Sequence, residues 1–166
     1  MTSPDGKGTK TCTIQVNEPE FPVYDSAKAC ARGINGSYGW SYGTFVRGEF
    51  SQFDDSTIRY NRGETAFTNG NDNDWIISGP RYIHPGTSTD VARRFTTPKS
   101  GNVRLHFAAE KFSDGQSGSV GMQITLNGEK IWPLDDSWKS FSSGTKNVWD
   151  TSLHLEEGDQ LVFAIG

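Results

Sequence analysis

Residues 120–132 read VGMQITLNGEKIW and carry the clearest structural pattern in the chain. Up to Leu126, every second residue is apolar, which is typical of a half-buried strand in an antiparallel sheet. Asn127-Gly128 then supplies two residues that tolerate the positive φ of a type I′ turn. The segment therefore predicts a β-hairpin whose return strand is residues 129–132. The apolar row of its first strand is Val120, Met122, Ile124 and Leu126.

Three other segments repeat this alternation, and turn-forming sequences lie between them at residues 98–101 and 156–159. Short strands separated by turns at this spacing predict an all-β domain, an antiparallel β-sandwich of the jelly-roll type. Helix signals are confined to residues 25–33, where Asp25 is a cap and Gly33 a stop. These residues form either a helix of two turns at most or an irregular lead-in. The three rows are Val103, Leu105 and Phe107; Trp149, Thr151, Leu153 and Leu155; and Leu161, Phe163 and Ile165.

The composition restricts the classes of function. The chain has 166 residues, enough for one core, with 12 % aromatic residues and a formal net charge of −4. Its Lys and Arg residues are spread thinly, which argues against a nucleic-acid surface and a polybasic membrane patch. No apolar run approaches the roughly 18–20 residues that span a bilayer. Cys12 and Cys30 either form a disulfide or are two unrelated small apolar residues.

Sequence motifs for catalysis are missing. His84, His106 and His154 lack a metal-binding spacing, and the cysteines form no Cys-x-x-Cys pair. Carboxylates are scattered, and nothing in their order selects the facing pair that a glycosidase needs. We therefore expect a protein that is not an enzyme and has no catalytic residue.

Aromatic residues in polar surroundings indicate ligand binding instead. Sugars stack their apolar faces on aromatic rings, and a few oriented polar groups then match the sugar hydroxyls. In residues 38–42, YGWSY, small residues separate the rings and would let a ligand approach. Trp138 lies among Asp, Ser and Lys, so its ring is either exposed or folded back over the sandwich edge. The candidate carbohydrate-binding residues are Tyr38, Trp40, Tyr42, His84, Arg94 and Trp138.

The other tryptophans, Trp75, Trp132 and Trp149, are expected in the core, because large aromatic rings dominate core energetics. His84 has a second interpretation besides ligand binding. A residue before Pro is pushed toward extended geometry, and Gly86 lets the chain turn. The sequence His-Pro-Gly therefore also fits a plain turn in which His84 caps neighbouring backbone groups.

Adjacent arginines suggest a further binding hypothesis. Arg93 and Arg94 must point to opposite faces of one strand, so one of them is partly buried. Arg104, on the polar face of the next strand, could lie beside the other. Two arginines on one exposed sheet face would suit an acidic sugar.

Residues 69–74, NGNDND, are the best candidate for a metal loop. Ca²⁺ takes six to eight oxygen ligands, which Asn, Asp and backbone carbonyls supply. The loop departs from the EF-hand pattern, and Asx-rich loops also form ordinary turns. The metal hypothesis is a structural calcium ion held by Asn71, Asp72 and Asp74.

The N-terminal residues resemble part of a different domain. Residues 5–16, DGKGTKTCTIQV, resemble the last hairpin of a bacterial Ig-like domain of the second group. Pro19 and Pro22 follow closely, and such spacing is typical of a linker. The expected organisation is the tail of an Ig-like domain at 1–17, a linker at 18–23 and a β-sandwich module at 24–166.

Residues 24–166 resemble a β-sandwich module attached to bacterial polysaccharide-degrading enzymes and surface proteins. Such modules usually continue into one more strand, whereas this chain stops at Gly166. Either the module is truncated, or the strand at 11–16 replaces the missing one. The resemblance rests, in order, on residues 36–43, Trp75, 84–86, 91–95, Pro98, Gly101, 127–128, 131–132 and 158–163.

The resemblance implies a secreted or cell-surface, non-catalytic carbohydrate-binding module that tethers a larger protein to a polysaccharide or glycan. Its expected partners are that glycan and other domains of the same polypeptide, with no nucleic acid or membrane insertion, and we expect a monomer. The main alternative is a structural or adhesive spacer without a glycan site. A third possibility is protein recognition through an exposed sheet edge. Only a glycan binder must present a solvent-facing ring beside polar side chains.

Overall fold

The computed structural model describes residues 22–71, 74–112, 119–135 and 138–166. The predicted Ig-like tail at 1–17, most of the predicted linker at 18–23 and Cys12 lie outside the described residues. All helices and strands given below fall within the predicted module at 24–166. Cys30 is buried there, and its thiol donates to the carbonyl oxygen of Ser78 at 3.5 Å.

The described residues form one α-helix, two short 3-10 helices and thirteen strands. Helix α1 is Ser26–Ala31, and the carboxylate of Asp25 caps it by accepting from two backbone N–H groups. The short helix predicted at 25–33 is therefore confirmed. The strands are β1 Trp40–Val46, β2 Glu49–Gln52, β3 Ile58–Asn61, β4 Glu64–Thr68, β5 Ile77–Ser78, β6 Ile83–His84, β7 Asp90–Thr96, β8 Gly101–Ala109, β9 Val120–Leu126, β10 Glu129–Trp132, β11 Lys139–Phe141, β12 Asn147–Leu155 and β13 Gln160–Ile165.

Seven of these strands form the main sheet. Their order is β10-β9-β13-β7-β1-β2, and β11 also pairs with β9. The pairs are antiparallel, so Leu161 of β13 lies between Phe95 of β7 and Leu126 of β9. Asn127 and Gly128 have φ values of 52° and 88°, which confirms the predicted hairpin between β9 and β10.

Two smaller sheets form the opposite layer. One is the long antiparallel pair β8–β12, and the other contains β3, β4, β5 and β6 in that order. The chain crosses from the main sheet to β8 through residues 97–100 and returns from β12 through residues 156–159. The predicted turns therefore connect the two layers. This arrangement confirms the predicted all-β antiparallel sandwich.

The core lies between the inner face of the main sheet and both smaller sheets. Tyr42 of β1 stacks on Phe67 of β4, with ring centroids 4.8 Å apart. Trp132 of β10 stacks on Trp149 of β12, with ring centroids 5.7 Å apart. Trp132 and Trp149 thus pack against the core, as the sequence predicts.

An arginine with a buried guanidinium joins the main sheet to the helix and to the four-stranded sheet. Arg93 of β7 donates to the hydroxyl oxygen of Ser26 at 3.0 Å and to the carbonyl oxygens of Gly79 and Pro80 at 2.6 and 3.3 Å. Burial lowers the pKa of its guanidinium. Arg94 points to the opposite face of β7, where its guanidinium lies 4.4 Å from the ring centroid of Phe50. The predicted opposite orientation of the two arginines is confirmed.

Replacing Arg93 by Met should lower the free energy of unfolding by about 2–5 kcal/mol, because buried carbonyl and hydroxyl oxygens lose their donor. Arg94→Met is the matched control. Arg94→Met removes the same charge from the next residue, but the protein then loses only the contact with the ring of Phe50, worth about 0.5–1 kcal/mol. Urea denaturation of both variants measures the difference. Equal losses in the two variants would contradict the role of Arg93.

Candidate functional site

Two residues of the predicted binding platform lie in the core. Trp40 and Tyr42 are 8 % and 0 % exposed, because they occupy the inward-facing positions of β1. The indole N–H of Trp40 donates to the carbonyl oxygen of Tyr24 at 3.1 Å, and the hydroxyl of Tyr42 donates to the backbone carbonyl oxygen of Ser26 at 2.6 Å. Neither ring can stack on a sugar, so the prediction of an exposed platform at Trp40 and Tyr42 is wrong.

Tyr38 is exposed, in a 3-10 helix just before β1. The guanidinium of Arg32 lies 4.3 Å from its ring centroid and covers one face of the ring. Among the contacts of the described residues, the ring of Tyr38 meets Arg32 and none of the other predicted site residues. Tyr38 therefore does not join them in one site.

Trp138 and Arg94 share the outer face of the main sheet, which points away from the core. Trp138 packs on a separate apolar cluster that includes Ala92 and Ala164. Its ring lies 3.4 Å from where a Cβ atom on Gly121 would stand. Of the two alternatives for Trp138, the structure shows the ring folded back over the sandwich. Ala92 and Ala164 are 0 % exposed, so the outer face is covered at these two positions.

Arg104 is not beside Arg94, because β7 and β8 belong to different sheets. The guanidinium of Arg104 donates to both carboxylate oxygens of Asp150, at 2.9 and 2.6 Å. This hydrogen bond is the largest cause that lowers the pKa of Asp150 to about 2, and His106 adds to it. The prediction of two arginines side by side on one exposed face is therefore wrong. The acidic-sugar hypothesis loses the pair on which it depended.

Trp75 is 59 % exposed and is the most exposed of the five tryptophans. The expectation that Trp75 is a core residue is wrong. The ring of His84 lies 6.4 Å from that of Trp75 between centroids, at an interplanar angle of 48°. The two rings border a cleft of about 320 Å³, within the size range of small-ligand sites. We call it the Trp75–His84 cleft, lined by residues 74–76 and 84–89.

Short strand pairing brings the two rings together. Ile77 of β5 lies opposite His84 of β6, and Trp75 precedes Ile77 by two residues. Ile76 between them is buried in the core and anchors the loop. A Cβ atom on Gly86 would lie 2.9 Å from the side chain of Ile76, so a glycine is needed where the two loops meet. The site is thus held by packing beneath it.

The backbone of Trp75 explains why the ring faces solvent. Its φ is 52°, in the left-handed region, which is uncommon for a bulky residue and costs of order 1–3 kcal/mol. The turn breaks the strand alternation, so Ile76 and Ile77 are both buried while Trp75 points outward. The sequence did contain a signal for this exposure, since Trp75 directly follows the polar residues 69–74.

The predicted calcium loop borders the same cleft. The side-chain amide of Asn69 donates to the carboxylate of Asp74 at 3.0 Å, and the backbone N–H of Asn71 donates to Asn69 Oδ1 at 3.0 Å. Asp72 lies outside the described residues. In the rest of the loop and elsewhere in the described chain, no three His, Cys, Asp or Glu side chains cluster as metal ligands would. The calcium site at Asn71, Asp72 and Asp74 stays a prediction.

Known proteins match this chain at the level of solved structures alone. No family model and no curated protein matches the chain. Among solved structures, a family 35 carbohydrate-binding module from Clostridium thermocellum is similar at 17 % identity and a TM-score of 0.32, over 76 % of this chain and 75 % of that chain. A likeness at that level carries no functional argument, so function has to be argued from the cleft itself. No helix among the described residues could cross a membrane.

Replacing Trp75 by Phe should remove the most readily quenched component of the tryptophan fluorescence, because that indole is the most exposed. Trp40→Phe, at a buried position, should leave the same component in place. Acrylamide quenching of the two variants and of the parent protein measures this difference. A quenchable component that survives unchanged in Trp75→Phe would show that its ring is not at the surface.

Replacing Arg104 by Gln should raise the pKa of Asp150 from about 2 toward its ordinary value of 3.8, because the carboxylate loses its strongest donor. Because the pKa of Asp150 is lower in the folded state, its ion pair stabilises the protein at pH values above the unfolded-state pKa. That stability is lost as the pH falls through the folded-state pKa. Carboxyl ¹³C NMR titration gives the pKa. Arg47→Gln, in the β1–β2 turn, is the control, and an unchanged Asp150 in Arg104→Gln would refute the assignment.

Proposed function

We propose that this chain is a non-catalytic carbohydrate-binding module and that the Trp75–His84 cleft is its binding site. The observation that supports the proposal is a tryptophan ring, 59 % exposed, at the edge of a cleft of about 320 Å³. A flat apolar ring in water gains from stacking on a partner that is apolar on one face. Sugars have such a face and carry hydroxyls around their rim.

Polar groups around the ring suit those hydroxyls. Thr87 and Ser88 are exposed, and within the described residues their hydroxyls have no protein partner. Each hydroxyl can both donate and accept a hydrogen bond. The carboxylate of Asp74 accepts, and the imidazole of His84 offers two ring nitrogens. The cleft therefore combines one stacking surface with several hydrogen-bonding groups, which is the composition expected of a sugar site.

The same cleft argues against glycoside hydrolysis. Hydrolysis by the usual routes needs two carboxyl groups on either side of the scissile bond. Asp74 is the single carboxylate among the described residues that line the cleft. A site that binds sugars without a facing pair of carboxyl groups holds its ligand and leaves it intact.

Binding at one shallow cleft should be weak, with a Kd of about 10 µM to 1 mM. Weak binding is sufficient for a module that tethers a larger protein to a polysaccharide, because repeated sugar units and linked domains raise the effective affinity. We therefore propose a secreted or cell-surface location, with other domains of the same polypeptide supplying the chemistry.

A glycan array on the full chain, run with calcium and with chelator, tests the proposal, and calorimetry measures any hit. Trp75→Ala should weaken binding by about tenfold or more, because the stacking surface is lost. Tyr60→Ala is the matched control. Tyr60 is a ring on β3 that is 79 % exposed and lies outside the cleft, so its loss should leave the affinity unchanged.

Circular dichroism establishes that each variant is folded. A blank array with folded protein would contradict the proposal and favour a structural spacer. Binding that survives in Trp75→Ala would show that the glycan binds elsewhere on the module.

A further inference from the structure

We infer that the Trp75–His84 cleft selects neutral sugars and rejects uronic acids and sulfated sugars. The inference rests on the proposed function, since it specifies the ligand class of the same cleft. It differs from the acidic-sugar hypothesis that the sequence suggests, because the arginines on which that hypothesis depends lie outside the described lining of the cleft.

The charges that line the cleft are unsuitable for an anion. Among its described lining residues, Asp74 is the one carboxylate and none is Lys or Arg. A carboxylate or sulfate on the ligand would leave water without meeting a guanidinium or ammonium group. Such desolvation is unfavourable unless a counter-charge replaces the water.

The three arginines of the acidic-sugar hypothesis have other partners. Arg93 is buried beneath the main sheet, where it binds carbonyl oxygens of the β5–β6 turn. Arg94 lies over the ring of Phe50 on the outer face, and Arg104 pairs with Asp150 on the β8–β12 sheet. None of the three belongs to the described lining of the cleft.

Asp74 also acts against an acidic ligand directly. Its Oδ2 accepts the amide of Asn69 at 3.0 Å, which holds the carboxylate at the cleft edge. Two like charges about 4 Å apart repel by about 1 kcal/mol even in bulk water, equivalent to about fivefold in affinity. Salt weakens the repulsion at an exposed carboxylate such as Asp74, so we expect a discrimination of about fivefold where the ligand's charge comes within about 4 Å.

Neutral hydroxyls fit the groups that are present. Thr87, Ser88 and Thr89 are consecutive at the cleft and provide neutral donors and acceptors. Asp74 can accept a hydrogen bond from a sugar hydroxyl, and such charge-assisted bonds are stronger than neutral ones. The carboxylate that rejects a uronic acid therefore favours the neutral sugar with the same ring.

Paired ligands test the inference. Neutral glucan, mannan and galactan oligosaccharides are titrated into the full chain beside the same oligosaccharides oxidised at C6 to uronic acids. Calorimetry at low salt should show each bound neutral sugar about fivefold tighter than its uronate. In Asp74→Asn this ratio should shrink, because the repulsion is removed while the side chain keeps its shape. Glu49→Gln on β2, outside the cleft, removes an equal charge and should leave the ratio unchanged.

The outcomes separate the inference from the proposed function. A uronate that binds as tightly as its neutral partner, with binding still lost in Trp75→Ala, overturns the neutral-sugar inference and keeps the glycan site. A ratio that persists undiminished in Asp74→Asn also overturns it, because Asp74 is then not the discriminating group. Failure of all neutral and oxidised sugars to bind folded protein overturns the proposed function as well.

Discussion

The buried guanidinium of Arg93 is the constraint on which the rest of the structure depends. It extends from β7 in the middle of the main sheet to Ser26 in the helix and to Gly79 and Pro80 in the β5–β6 turn. A charge removed from water needs such partners, so the helix and the four-stranded sheet are fixed relative to the main sheet. Strands β5 and β6 have two residues each and would not be stable alone. Their position comes from this anchor and from the packing of Ile76.

That fixed position produces the cleft. Because Ile76 and Ile77 are both buried, Trp75 must leave the strand pattern, and it does so with a left-handed backbone. The ring of Trp75 then lies beside the ring of His84, because Ile77 of β5 pairs with His84 of β6. Most rings on strands thus pack in the core, whereas the ring of Trp75, displaced onto a loop end, is exposed.

Local chemistry made much of the fold predictable. Asn127-Gly128 can hardly serve as anything but a tight hairpin, and period-two alternation identified the long strands on both layers. The site was less predictable. Trp40 lies in a sequence rich in small residues, but its burial depends on which face of β1 meets the second layer. Trp75 follows a polar loop, but its exposure depends on a backbone conformation set by its neighbours. Arg104 follows Arg94 closely in sequence, but a turn between them crosses from one sheet to the other.

We place the ligand surface of this protein at the open cleft and at neither outer sheet face. The most direct test is an NMR titration with the tightest-binding neutral oligosaccharide, in which the amide and indole N–H shifts are followed. We predict that the indole N–H of Trp75 and the amides of residues 84–89 shift together and saturate at one Kd. The amides of Ala92 and Ala164 on one outer face, and of Asp150 on the other, should stay in place. Shifts concentrated at Ala92 and Ala164 or at Asp150, with Trp75 unmoved, would contradict the account.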